Sequence, residues 1–300
     1  MTNTAIEAEG LVRTFGKVRA LDGIDMVARE GTVFGLLGPN GAGKTTTLDM
    51  LMNLQKPSAG EAVVLGTDSR KLSGRSFERI GYLSEAQRYP DWMTIAGLLN
   101  YLKPFYPTWD EARASELLAQ FRLTTNQKLK HLSRGTRMKA LLASVMAYRP
   151  KLLVLDEPFS GLDPLTREEL IGALLEAATE TTVLLSSHDL AEIESFVTHV
   201  GYLSGGHLGF SEELPALTAR FREITVTVDR PKLPDPWPAG WICPEIDKAW
   251  IRFVETRFDA ARTDDELRKR FPGATSIDSR PMTLRSILLA LARSETATEA

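Results

Sequence analysis

The chain has 300 residues, 43% hydrophobic and 25% charged, with a formal net charge of −3. That length buries a sizeable core and accommodates one large domain plus a small one. The slightly acidic balance excludes a nucleic-acid binder working through a broad basic face, and the single cysteine, Cys243, excludes an intrachain disulfide and fits a reducing compartment.

The first residues carry an early acid, Glu7, and no apolar run, so they do not read as a signal peptide. Apolar runs elsewhere are strand-sized, far short of the ~20 residues of a membrane span. A role at a membrane therefore requires docking on a separate spanning subunit. Residues 6–24 read as short strands turning at Phe15, Gly16 and Lys17. The run TVFGLL, 32–37, is continuous and apolar between glycines, as a buried strand is. A glycine loop follows, then a helix over 45–54 with Leu48, Leu51, Met52 and Leu54 at helical spacing. Residues 80–83 predict another core strand. From about 85 to 150 the pattern turns helix-rich, with apolar residues three and four apart over 111–123 and 137–148, and reads as an inserted helical subdomain. Strands at 152–155 and 183–185 flank a helix over 164–178, and this alternation implies a mainly parallel sheet. The organisation shifts near Phe221. Residues 224–228 and 250–254 read as strands, 231–240 hold four prolines, 264–271 and 283–293 read as helices, 274–278 as a further strand, and 294–300 as frayed. The predicted division is 1–220 and a small α+β module at 221–300.

The loop GPNGAGKTT comprises Gly38, Pro39, Asn40, Gly41, Ala42, Gly43, Lys44, Thr45 and Thr46 and fits G-x-x-x-x-G-K-[ST]. Glycines let the backbone wrap so that several N–H groups face phosphate oxygens. Lys44 reaches the β- and γ-phosphates, Thr45 offers a hydroxyl to Mg²⁺, and the following helix aims its positive end at the anion. Downstream, LLVLDEP puts Asp156 and Glu157 at the tip of a hydrophobic strand, where open α/β sheets place ligands. Asp156 would hold the cation, and Glu157 would orient and polarise an attacking water. A DE pair alone reads as an acidic turn; the phosphate loop upstream changes that.

One continuous run, from His131 to Asp163, contains LSRGT before a helix, then the Asp156–Glu157 strand, then SGLD. That order, with the loop upstream, resembles the ATPase subunit of ABC transporters, of an exporter-type branch. The resemblance covers roughly residues 4–220. It implies a P-loop NTPase fold: a mainly parallel core sheet, an N-terminal antiparallel β portion, the helical subdomain and the C-terminal α+β extension. It implies Mg²⁺ and ATP, bound between two such subunits. Ser133 and Gly135 of one subunit would contact the γ-phosphate held by the other. Arg134 and Thr136 depart from the commonest LSGGQ form, and Ser133 also reads as a plain N-cap; both roles are compatible. SGLD would lie at the subunit interface, and His188, in LLSSHDL, would contact the γ-phosphate. Phe15 matches the aromatic that stacks on adenine, with a core phenylalanine as the alternative. Glu85 stands where the family usually has a Mg²⁺-coordinating glutamine, and its carboxylate suits a hard cation. Residues 88–93 would receive the membrane partner, with local packing of Tyr89 and Trp92 an equal alternative.

The implied activity is ATP binding and hydrolysis driving dimerisation, as a homodimer or heterodimer. It would be coupled to transport by a membrane-spanning permease subunit at the cytoplasmic face of the cell membrane, with no nucleic-acid partner. Two other readings stand beside it: a soluble ABC-type ATPase without a transport role, and a regulatory subunit with weak hydrolysis.

Overall fold

A computed structural model describes residues 4–84, 87–90 and 92–298. The chain divides into two compact units, Met1–Ser211 and Glu212–Ala300. The sequence-based boundary at 220 and this division differ by residues 212–220, the end of one strand and one short helix, Leu214–Arg220, whose Leu217 is fully buried.

In chain order the first unit contains β1 (Thr4–Phe15), β2 (Val18–Arg29), β3 (Val33–Leu37), α1 (Lys44–Leu51), β4 (Ala59–Val64), β5 (Thr67–Asp68), α2 (Gly74–Phe77) and β6 (Ile80–Leu83). It continues through α3 (Ile95–Leu102), α4 (Glu111–Gln120), α5 (Arg134–Met146), β7 (Leu152–Leu155), α6 (Pro164–Ala177), β8 (Thr182–Ser187) and β9 (His199–Ser204), and ends within β10 (His207–Glu213). The core sheet has the order β10-β9-β3-β8-β7-β6. Its β3–β8, β3–β9, β7–β8 and β6–β7 pairs are parallel. An antiparallel sheet of order β2-β1-β4-β5 supplies the N-terminal β portion.

Every residue of β3, β7 and β8 is buried, as continuous apolar strands covered on both faces must be. One core joins the two sheets, with Leu36, Leu48, Met50, Leu152, Val154 and Leu184 meeting Ile6, Leu21 and Val64. Because β3, β8 and β7 are adjacent and parallel, the chain leaves all three at the same edge. The phosphate loop follows β3, Asp156 and Glu157 follow β7, and His188 follows β8.

Helix α1 stops at Leu51, short of the expected 54, because Asn53 turns left-handed at φ 57°. Helix α5 starts at Arg134, three residues before the expected start. Ser133 caps it by accepting the Thr136 N–H at 3.1 Å, which places Arg134 and Gly135 in its first turn.

The second unit contains α7 (Leu214–Arg220), β11 (Arg222–Val228), β12 (Trp241–Ile246), β13 (Trp250–Glu255), α8 (Ala260–Arg270), β14 (Ala274–Pro281) and α9 (Leu284–Thr298). Its antiparallel sheet runs β12-β13-β11-β14. Ile224, Val226, Ile251 and Phe253 form a core with Trp241, Leu267 and Phe271. Contrary to the expected fraying from 294, α9 continues to Thr298, and no Gly or Pro interrupts that stretch. Among the described residues no helix is long and apolar enough to cross a membrane.

Candidate active site

Gly43, at the start of α1, has φ 106°. A Cβ there would come within 2.4 Å of Leu21 Cδ2 and 3.0 Å of the Ala20 carbonyl, so the loop closes against β2 only with glycine. The buried Lys44 folds back along the loop. Its Nζ donates to the Gly38 carbonyl at 2.8 Å and the Pro39 carbonyl at 3.1 Å. It also lies 3.1 Å from Glu157 Oε1.

Asp156 is 5% exposed and accepts two hydroxyls, Thr45 at 2.8 Å and Ser186 at 2.6 Å. Burial pushes its carboxyl above the ordinary range, while the Ser186 and Thr45 bonds pull the other way. Two hard oxygens thus stand side by side at the mouth of the phosphate loop. Mg²⁺ takes one or two protein oxygens and completes its shell with water and phosphates. The Thr45 and Asp156 pair fits that requirement. Among the described residues no group of three or more His, Cys, Asp or Glu side chains could form a metal centre elsewhere.

Glu157 has φ 50°, a conformation a non-glycine residue adopts only under constraint. Its N–H donates to Ser186 Oγ at 2.9 Å, which holds the turn. Its carboxylate bridges two cationic or proton-bearing groups: Lys44 on Oε1, and His188 Nδ1 at 2.7 Å on Oε2. Lys44, Thr45, Asp156, Glu157 and His188 therefore form one bonded group across three strand tips. Ser186 completes it and was not singled out from the sequence. The available signal was two serines ending an apolar strand directly before His188, where polar side chains at a strand tip face the site.

Ser133 and Gly135 stand apart at the start of α5. The Ser133 hydroxyl is exposed and lies 2.8 Å from Thr136 Oγ1. Gly135 is buried against α6: a Cβ there would come within 2.8 Å of Thr166 Cγ2. Phe15 is 44% exposed at the β1–β2 turn, on the surface rather than in the core. The Arg13 guanidinium lies 4.5 Å from its ring centroid. Glu85, expected as a cation ligand, lies outside the described residues. Beyond it, Tyr89 is half-buried and receives the Gln87 amide at 2.8 Å, whereas Trp92 is 71% exposed. Local packing thus accounts for Tyr89 and not for Trp92. A cleft of about 670 Å³ lined by Tyr89, Arg137, Met138 and Leu141 opens beside Glu157.

A family profile described as "ABC transporter" matches residues 21–160. A probable multidrug ABC transporter ATP-binding protein of Escherichia coli is 32% identical over 238 residues, 76% of this chain. The chain spans 41% of that relative's length. A daunorubicin resistance ATP-binding protein of Streptomyces coeruleorubidus is 34% identical over 230 residues, covering 73% of this chain and 72% of the relative. Among solved structures, one described as the ATP-binding subunit of an ABC transporter superposes with a TM-score of 0.66 at 26% identity. The match covers 72% of this chain and 92% of that one.

Proposed function

The chain belongs to the ABC transporter ATP-binding proteins, and on that basis we propose that it is the ATP-hydrolysing subunit of an exporter-type transporter. It would work as a dimer on a membrane-spanning permease at the cytoplasmic face of the membrane. The observation that carries the catalytic part is the Glu157 carboxylate, bonded to both Lys44 and His188 at the mouth of the phosphate loop.

On this reading the loop N–H groups and the N-terminus of α1 bind the ATP phosphates. Lys44 exchanges its bond to Glu157 for the β- and γ-phosphate oxygens. Glu157, oriented by Ser186 and His188, then accepts a hydrogen bond from the attacking water and takes its proton as attack proceeds. Bound Mg²⁺, held by Thr45 and Asp156, would neutralise phosphate charge. Phe15 would stack on the adenine, with Arg13 behind it. Ser133 and Gly135 would reach the γ-phosphate held by the second subunit, which makes each site a product of two chains. The cleft beside Glu157 and the exposed Trp92 are the surfaces we assign to the permease. Residues 221–300 are assigned to a separate module that leaves the nucleotide chemistry to the first unit. The Glu157–His188 bond supports a hydrolysing subunit over a weakly active regulatory one. Steady-state turnover of Glu157→Gln tests this: loss of hydrolysis with retained ATP binding is expected, and wild-type turnover would remove Glu157 from its role.

A further inference from the structure

Glu192 is 4% exposed, one turn beyond His188, and takes no direct part in the bonded group described above. Its Oε2 accepts the Ser187 hydroxyl at 2.8 Å, and its Oε1 lies 3.5 Å from Arg167 Nη2. Ser187 ends β8 and is the residue before His188; its Oγ also accepts the Asp189 N–H at 3.0 Å. Arg167 belongs to the first turn of α6, the helix capped by Asp163 of SGLD. The Arg167 guanidinium pairs with this buried carboxylate, while among the described residues its Nε is buried without a hydrogen-bond partner. A buried carboxylate costs free energy unless its charge and lone pairs are met, and two elements meet them here.

The start of α6 and the turn before it also bear on the start of α5. The Arg134 side chain lies flat on Gly161: a Cβ there would come within 2.9 Å of Arg134 Nη1. Gly135 packs on Thr166, and Lys139 pairs with Glu169 one turn along each helix. The first turn of α6 thus meets LSRGT through Thr166 and the base of His188 through Arg167 and Glu192.

We propose that Glu192 is a positioning residue: by tying Arg167 of α6 to Ser187, it sets His188, and through it Glu157, according to where α6 is held by Ser133–Gly135 of the same chain. Occupation of one chain's LSRGT by the partner subunit's ATP would in this way bias the hydrolytic pair of that same chain. The link is a strut with two defined ends, and energetic coupling between those ends is its measurable consequence. Burial pushes the Glu192 carboxyl above its ordinary range, while the Ser187 hydrogen bond and the Arg167 charge oppose that. This inference rests on the ATPase reading above.

The test is a double-mutant cycle on the full chain with Glu192→Ala, Arg167→Met and the double variant, read as kcat and KM for MgATP. A misplaced catalytic pair costs on the order of ten- to a hundredfold in rate. Each single variant is therefore expected to lose at least about tenfold in kcat with KM within about twofold. The double variant should be no slower than the slower single one, and Glu192→Gln, which keeps an oxygen for Ser187 but turns an amide N–H toward Arg167, should lose rate as the other singles do. Wild-type kcat in the singles, a lower melting temperature alone, or losses that multiply independently would overturn the proposal. If Glu192→Ala does not fold, Glu192→Gln and Arg167→Met carry the same cycle. Glu157→Gln is the control: if it turns over normally the ATPase reading fails, and if it is inactive while the Glu192 variants are normal only this inference fails.

Discussion

Glu157 Oε1 lies 3.1 Å from Lys44 Nζ, and the two side chains are only 13% and 6% exposed. Each is the other's counter-charge, and both side chains are largely buried. An enclosed ion pair is costly to break by removing one partner, because the remaining charge is left uncompensated. On the proposed function, phosphate oxygens would offer Lys44 a replacement, and the exchange would leave the Glu157 carboxylate bonded to His188. The Lys44–Glu157 bond is, on the proposed function, the one that ATP binding would exchange.

Lys44→Ala should weaken ATP binding by at least about tenfold, the order expected for losing hydrogen bonds to a charged group. Isothermal titration measures this directly. Undiminished affinity would contradict the phosphate-loop assignment. Any fall in melting temperature of the nucleotide-free variant reports the unpaired Glu157 and is a separate quantity.

Ser133→Ala removes the cap of α5 and should cost about 1 kcal/mol of stability, seen in a denaturant melt. If Ser133 also meets the neighbour's γ-phosphate, ATP-driven association should weaken while ATP affinity of the single chain stays unchanged. A variant with the stability loss and normal association would leave Ser133 a cap only.

The phenols of Tyr82 and Tyr89 are both pushed up to about 12, mainly by burial. Tyr82 donates to Asp49 of α1 at 3.3 Å, so that bond survives through the working pH range. The sign of the stability effect follows from linkage. A group whose pKa is raised in the folded state contributes stability that is full below its unfolded value, 10.0, and is lost as pH rises toward about 12. Urea melts at about pH 9 and about pH 11 should show wild type losing stability over that interval. Tyr82→Phe should lose less. An equal loss in the two proteins would remove Tyr82 as a contributor.

Much of the site was legible because its parts are constrained by spacing. The phosphate loop needs glycines where Gly43 meets Leu21, and the buried strands need continuous apolar runs ending in Asp156 and Ser187. What escaped was held by tertiary partners. Ser186 and Glu192 look like ordinary polar residues until the strand tips converge. Strand β10 alternates exposed and half-buried residues, and β12 carries Pro244 beside Cys243 at φ 53°, so neither reads as a strand in isolation. The start of α5 follows from the local Ser133 cap, whereas the seat of Gly135 under Thr166 of α6 is a contact between helices that no local pattern encodes.

A chain ending at Glu213 should retain ATP affinity within about twofold, since the bonded site group lies wholly within the first unit. The second unit keeps its own core around Trp241 and Phe253. Loss of ATP binding on truncation would mean that the two units depend on each other for folding.

The most direct measurement is the mass of Glu157→Gln by light scattering, with and without MgATP. Water activation by a carboxylate contributes on the order of a hundred- to ten-thousandfold in rate. ATP should therefore stay intact, clamped between LSRGT of one chain and the loop of the other. A shift from monomer to a stable dimer that is reversed by removing nucleotide is the expected result. A chain that remains monomeric with bound ATP, or that hydrolyses it at the wild-type rate, would contradict the two-chain site built around Glu157.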